Sequence, residues 1–594
     1  MFMSRTTTSR RRSLFLAAFL LSGCRGGHEA EPATPLSTAP PPGSAAAAAA
    51  HDAASKALRL NIDGEVRPIL PRAEKVHEMP LAEADRRGRL NVALGLPSPD
   101  DPTSVRLDVT LRADGRDDVL LERLDSDTTG WHELSVGFDA SALANPRLVI
   151  HRSVLSGDSG RLLRSVTGVP VLTRDAPPPA QPSVILFSLD TLRADRVGTY
   201  GDAAARTPVL DALARRGTLF TDAYSPSLWT LPSHAGLFYG AHLPDTPAGL
   251  RRQGRAGAAL DIPALPLAEL LRQHGYATAA FTGGGFLAPP FDFARGFEVF
   301  YAFQQLHRRE SCPPERFDGP EVFRRATAWL RANSHRPFFL FVHTYDVHDR
   351  CPFVPPGSGD FGVWPELGDE RQAALQQHYR DLIAEADGRV GALLDVLAAG
   401  GTADRTLIVV TSDHGEALSG HGQRGHSCSL RPYEEVARVP LILQGGGRVP
   451  AGQRIETPVS LIDVAPSILS LLDITPPAWM AGRPLPGLGL AHPDPPSPVA
   501  VLCDRQMALR VGDAKLLAEY GAPAKDELYD LAADPAETDN RAAADPDTLA
   551  RLRARAASTW IPSQFKPEAQ PAPVDAGTLD PAARERLRAL GYLE

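Results

Sequence analysis

The chain has 594 residues, of which 43% are hydrophobic and 22% charged, an ordinary soluble globular balance with ample material for a large core. Its formal net charge of -9, with arginines scattered and no basic stripe interleaved with aromatics, argues against nucleic acid as a partner.

The first segment reads as a targeting signal. Arg10, Arg11 and Arg12 form a basic n-region, and Leu14 to Leu21 a short apolar run, too short to span a bilayer as a mature helix. Leu21-Ser22-Gly23-Cys24 resembles the bacterial lipoprotein signal, in which cleavage precedes a cysteine that is then acylated. Residues 1–24 are therefore expected to be a signal peptide. The mature protein would be exported and anchored at the bacterial cell envelope, on its periplasmic or outer-surface face, with the membrane as a partner through a lipid on Cys24.

Residues 25–57 are rich in Pro, Ala, Ser and Gly, with an alanine run from Ala45 to Ala50; such a composition buries too little apolar surface to offset ordering entropy and predicts a flexible tether. Over 58–174 short alternating segments such as Val105-Arg106-Leu107-Asp108-Val109 are separated by turn residues, which predicts a β-sandwich that folds independently. Within it, Trp131-His132-Glu133-Leu134 looks like segments of carbohydrate-binding jelly rolls, so a glycan binder and a structural spacer are both open. Residues 175–182, with three consecutive prolines, mark a second linker.

From 183 to 594 buried strands alternate with amphipathic helices, the pattern of an α/β domain with a mainly parallel sheet flanked by helices. Val184–Leu189, Phe338–Val342 and Leu407–Val410 read as buried strands. Thr207 and Pro208 open a helix that Gly217 closes, and a long helical pattern covers Leu382–Leu397. A small C-terminal subdomain is expected from about residue 498.

Two strands run into acidic ends, Val184–Leu189 into Asp190 and Leu407–Val410 through Thr411-Ser412 into Asp413-His414-Gly415-Glu416. In open α/β sheets ligands bind outside the carboxyl ends of strands, so both acids are expected in one crevice, where hard oxygens and an imidazole suit a divalent cation. Between them lies Trp229-Thr230-Leu231-Pro232-Ser233-His234. A helix started by Pro232 would place Thr230 at its positive end, where backbone N–H groups and the helix field favour an oxyanion.

These segments carry a resemblance. Asp190-Thr191-Leu192-Arg193-Ala194-Asp195 resembles the opening signature of the sulfatase family within the alkaline phosphatase superfamily. Thr207-Pro208, Thr230-Leu231-Pro232-Ser233-His234, Gly275-Tyr276, Asp413-His414-Gly415-Glu416, His421-Gly422, Tyr433-Glu434-Glu435 and Glu527-Leu528-Tyr529-Asp530 follow in that family's order. The resemblance implies an alkaline phosphatase-like fold over about two-thirds of the chain and a hydrolase acting on small-molecule or glycan esters. It further implies that Asp190, Asp413 and His414, with the Thr230 side chain, hold one divalent ion (calcium, manganese, zinc or magnesium). His348 would protonate the leaving group, and His421 and His426 would contact the anion.

The departures are specific. Family sulfatases carry a Cys or Ser, later oxidised to formylglycine, where this chain has Thr230, and an Arg where it has His234, which joins the candidate catalytic set. No lysine lies between Ser183 and Pro498, and Gly283-Gly284-Gly285 stands where the family has a Gly-Lys pair. Threonine, a secondary alcohol, cannot form formylglycine. The expectation is therefore a metal-activated Thr230 nucleophile acting on a singly charged sulfuric or phosphoric ester. A transferase passing a phosphoryl-linked group to an envelope acceptor and a non-catalytic ligand-binding lipoprotein are the alternatives. With Cys24 acylated, Cys312, Cys351, Cys428 and Cys503 allow three pairings; Cys351 with Cys428 is favoured, because both flank candidate histidines.

Overall fold

The computed structural model describes residues 58–559 apart from 63, 71–74, 97–103, 157–164, 175–180, 243–263, 304–317, 350–352, 354–365, 492–497, 504 and 520. The signal peptide with Cys24, the tether, most of the 175–182 linker, Cys312, Cys351 and residues 560–594 lie outside the described residues. Among the described residues no helix is long and apolar enough to cross a membrane.

The core is an 11-stranded sheet. Its main strands are β1 (Leu58–Ile62), β2 (Glu65–Ile69), β3 (Ser183–Leu189), β4 (Thr218–Tyr224), β5 (Ala277–Thr282), β6 (Val299–Ala302), β7 (Phe338–Thr344), β8 (Thr406–Thr411), β9 (Arg438–Gly445) and β10 (Gln453–Ile455). They lie in the order β1-β2-β6-β5-β7-β3-β8-β9-β4-β10. The five strands from β6 to β8 are parallel, and the sheet turns antiparallel at β2 and β9. Parallel strands bury both faces, and β3 obeys that rule: Val184 and Leu186 enter one core while Ile185, Phe187 and Leu189 enter the other. Helix α1 (Pro208–Arg216) and the long α3 (Asp369–Ala399) cover the second face; α2 (Thr230–Tyr239) covers the first. Because the central strands are parallel, the carboxyl ends of β3, β5, β7 and β8 meet at one edge of the sheet.

The N-terminal region is a sandwich of two antiparallel sheets whose inward residues, Leu90, Val92 and Leu94 from one and Val105, Leu107 and Val109 from the other, build a separate core. Its boundary differs from the expected 58–174. Residues 58–69 form the hairpin β1–β2, which packs on Val166 and Trp131 of the sandwich while β2 pairs with β6 of the catalytic sheet. The seam is charged and aromatic. Glu65 of β2 accepts from Arg67 Nε at 2.6 Å and from Arg325 at 3.2 Å, and the Trp131 indole donates to the Glu65 carbonyl at 3.0 Å. Arg67 also pairs with Glu133 and lies over the Trp131 ring. Trp131 and Glu133, which suggested a carbohydrate face, are thus engaged in joining the sandwich to the catalytic sheet. The N-terminal region meets that sheet through the pairing of β2 with β6 and the Glu65–Arg325 ion pair.

At the other end a four-stranded antiparallel sheet (Val499–Leu502, Gln506–Val511, Ala514–Glu519, Glu527–Asp530) and the helix Pro546–Thr559 form the C-terminal subdomain. Its link to the catalytic domain is covalent as well as ionic. Cys428 is bonded to Cys503, which follows the strand Val499–Leu502, and this corrects the expected Cys351–Cys428 pair. Lys515, fully buried, lies 2.8 Å from both Glu434 and Glu537.

Candidate active site

The site assembles where the parallel strands end. Asp190 follows β3 and still donates its N–H to Thr344 O, so β7 holds it in place. Thr191 then takes a positive φ of 60°, which turns the chain sharply out of the strand. Asp413 follows β8; its Oδ1 accepts from the backbone N–H of His414 at 2.9 Å and of Thr191 at 3.3 Å. Both backbone contacts leave Asp413 Oδ2 facing the crevice.

His414 Nδ1 bonds to Gly415 O at 3.0 Å. A carbonyl only accepts, so Nδ1 carries the proton and Nε2 presents a lone pair. Asp190, Asp413 and His414 thereby converge, with one ligand atom from each lying within 4.8 Å of the others and all three residues buried. Asp190 Oδ1, Asp413 Oδ2 and His414 Nε2 have no hydrogen-bond partner. Three buried acceptors facing one another without a donor form a set that a cation satisfies. The residues therefore fit a divalent metal, with mixed oxygen and nitrogen ligation.

Their electrostatics follow from the same crowding. Burial, then the adjacent Asp413, pushes the Asp190 carboxyl well above the usual carboxylate range. Burial also acts to raise Asp413, but the neighbouring His414, His234 and His343 outweigh it and hold that carboxyl low. Burial lowers His414 to about 4, which keeps its imidazole neutral and fit for ligation near neutral pH.

Thr230 is the first residue of α2, and its hydroxyl donates to Asp190 Oδ2 at 3.3 Å. The first amides of an α-helix have no partner within the helix, so Thr230 stands at an electropositive end. Ser233, one turn in, is spoken for: its hydroxyl pairs with Ser225 Oγ at 2.7 Å and Ser227 O at 2.9 Å.

The candidate histidines separate into three groups. His348 and His426 stand with His414 in one cluster: His426 stacks on His414 at a centroid distance of 4.4 Å, and His348 meets His426 edge-on at 4.8 Å. Glu416 accepts from His426 Nδ1 at 3.1 Å and fixes that ring's tautomer. His234 has both nitrogens engaged, Nδ1 donating to Thr230 O and Nε2 accepting from Ser188 Oγ, each at 2.9 Å. It lies 3.5 Å from Asp413 Oδ2. His421 is not brought to the cluster. Its ring stacks on Tyr433 at 3.8 Å and its Nε2 bonds to Ala536 O at 3.0 Å, so it clasps the C-terminal subdomain, and the anion contact expected of it is not made by this arrangement.

Three buried residues of the site carried no sequence expectation: Ser188, His343 and Glu416. The signal for His343 was present, since it is the one imidazole in the otherwise apolar strand Phe338-Phe339-Leu340-Phe341-Val342-His343-Thr344. Among the described residues, Arg193 does not take the place of the missing lysines, because it is tied to Asp195, Glu435 and Glu416 O.

Residues 182–474 match the family model described as Sulfatase. The ulvan-active sulfatase of Formosa agariphila is 27% identical over 350 residues, covering 53% of this chain and 66% of that protein, just under two thirds of its length. Arylsulfatase K of Gallus gallus is 23% identical over 474 residues, covering 67% of this chain and 86% of that one. Among solved structures, the phosphonate monoester hydrolase of Agrobacterium radiobacter shares the fold with a TM-score of 0.52 at 22% identity, covering 65% of this chain and 96% of that one.

The crowded carboxylates set a pH dependence for the metal-free protein. The folded-state value of Asp190 lies above its unfolded value of about 3.9. Its contribution to stability is therefore complete below about pH 4 and falls as pH rises toward the folded value. In chelator-treated protein, melting temperature should decline with pH across that window in wild type and decline less in Asp190→Asn. Identical slopes would show that the Asp190–Asp413 contact does not govern stability.

Proposed function

Because this chain belongs to the sulfatase family, we propose that it is a metal-dependent hydrolase of sulfuric or phosphoric esters with the Thr230 hydroxyl as nucleophile. The observation that carries this reading is the convergence of three buried acceptors beside the Thr230 hydroxyl at a helix N-terminus. Asp190, Asp413 and His414 would hold one ion, with Thr230 Oγ1 beside it. Such an ion, when bound, supplies positive charge that lowers the pKa of an adjacent hydroxyl and offsets the charge of ester oxygens.

The chain's own residues do the rest. Thr230 Oγ1 gives up its proton to solvent water and forms a bond to sulfur or phosphorus, while the bond from that atom to the alcohol oxygen breaks. His348, held against His426, is placed to give the departing alcohol a proton, and water then cleaves the threonine ester to restore Thr230. His234 fixes Thr230 through its carbonyl, and Ser233 is held in its own hydroxyl network. With no lysine between Ser183 and Pro498 and Arg193 committed to ion pairs, the site suits a singly charged ester, a sulfate monoester or a phosphodiester. The ulvan-active relative and the phosphonate monoester hydrolase support both glycan sulfates and small phosphorus esters as substrate classes.

We further read Cys24 as the acylated N-terminus that tethers the enzyme to the cell envelope, on the strength of the ordered leader before it. Palmitate labelling should be lost in Cys24→Ser, and equal labelling rejects the anchor.

Thr230→Ala should abolish turnover on a panel of nitrophenyl sulfates, phosphodiesters and phosphonates while retaining the wild-type circular dichroism spectrum; Ser233→Ala should lose less. Rapid quenching and peptide mass spectrometry should place a sulfate or phosphate adduct on the peptide containing Thr230. Full activity in Thr230→Ala contradicts the covalent route, and a wild-type protein inert to the whole panel favours a ligand-binding lipoprotein.

A further inference from the structure

We infer that His343 is a positioning residue that orients Asp190 for metal binding, a role that rests on the metal reading above. Strand geometry brings the two together. β7 pairs in parallel with β3 so that His343 lies directly beside Ser188, two residues before Asp190. Phe339 and Phe341 of β7 pack into the same core as α2, and the period of two puts His343 on that same face, at the end nearest the site.

There the imidazole is fully buried and bracketed by rings: Tyr345 edge-on at 4.6 Å, His234 edge-on at 5.1 Å and Phe341 stacked at 6.4 Å. Its hydrogen bonds determine its tautomer. Gly283 donates its backbone N–H to His343 Nδ1 at 3.3 Å. An accepting Nδ1 in a neutral imidazole leaves the proton on Nε2, and Nε2 lies 3.2 Å from Asp190 Oδ2. His343 therefore lends Asp190 Oδ2 a fixed donor. Asp190 Oδ2 is occupied by His343 and Thr230, and Oδ1, which has no partner, is turned toward Asp413 and His414.

Gly283 has a physical reason to be glycine. A Cβ there would lie 2.1 Å from Asp318 Oδ2 and 2.5 Å from Tyr345 Cδ2. The backbone approaches His343 closely only because that side chain is absent. The chain Gly283–His343–Asp190 is thus a small relay from the end of β5, across β7, to the end of β3. Partners that orient a metal ligand in this way typically change affinity by about 10–100-fold when removed.

The test uses chelator-stripped full-length protein and isothermal titration with Ca2+, Mn2+, Zn2+ and Mg2+, each alone, in wild type, His343→Leu and His343→Gln. For the ion that wild type binds most tightly, His343→Leu should weaken affinity about 10–100-fold, with the metal-free melting temperature little changed. The Gln side chain keeps an N–H near the position of Nε2 and should recover most of the loss. Unchanged affinity in His343→Leu overturns the inference and leaves the metal reading intact. Equal weakening in both variants, together with a lower metal-free melting temperature, also overturns it, because that pattern belongs to packing alone. A wild-type protein that binds none of the four ions overturns the metal reading, and the role of His343 with it.

Discussion

Two carboxylates and an imidazole lone pair, buried side by side with no donor between them, are the constraint around which this protein is organised. Left alone, such a set repels itself, and the elevated Asp190 carboxyl is the direct expression of that repulsion and of burial. The fold spends much of its local order on keeping the three acceptors aimed inward. Backbone amides donate to Asp413 Oδ1, the Gly415 carbonyl accepts from His414 Nδ1, and Thr230 and His343 donate to Asp190 Oδ2. One free acceptor remains on each residue. Parallel strands make this economical, since they deliver Asp190, His343 and Asp413 to one edge of the sheet without any loop having to reach across it.

A second layer depends on the first. The segment from Asp413 to Glu435 carries His414 and His426, and the C-terminal subdomain grips it at several points. Cys428 is bonded to Cys503, His421 binds the Ala536 carbonyl, and Lys515 joins Glu434 to Glu537. Through these contacts the subdomain, none of whose described residues joins the cluster, holds the segment that carries His426. The N-terminal hairpin plays a quieter part, extending the sheet beyond β6, well away from the strands that supply ligands.

The α/β architecture and the convergence of Asp190, Asp413 and His414 were legible because they rest on local pattern. Continuous apolar runs ending in Asp190 and Asp413 specify buried parallel strands whose ends carry chemistry, and Trp229-Thr230-Leu231-Pro232 specifies a helix start. What sequence did not disclose is set by tertiary partners. His421 has the spacing of a site residue, but an αL backbone and Tyr433 turn it to the subdomain. Cysteine pairing depends on which distant strand faces Cys428, and proximity to a histidine carries no information about that. The β1–β2 hairpin alternates like any sandwich strand; only the partner edge at β6 assigns it to the catalytic sheet. His343 could have been noticed as a lone imidazole in an aromatic strand, yet its meaning came from the register that sets it beside Ser188.

The central claim is that one ion joins Asp190, Asp413 and His414 next to Thr230. A crystal of the full-length protein grown with Mn2+ or Zn2+, with data collected above and below the metal's absorption edge, tests it most directly. The account predicts a single strong anomalous peak within bonding distance of Asp190 Oδ1, Asp413 Oδ2 and His414 Nε2, with Thr230 Oγ1 facing it. No peak at that position, or a pair of peaks about 3.5–4 Å apart as in two-metal sites, would contradict it.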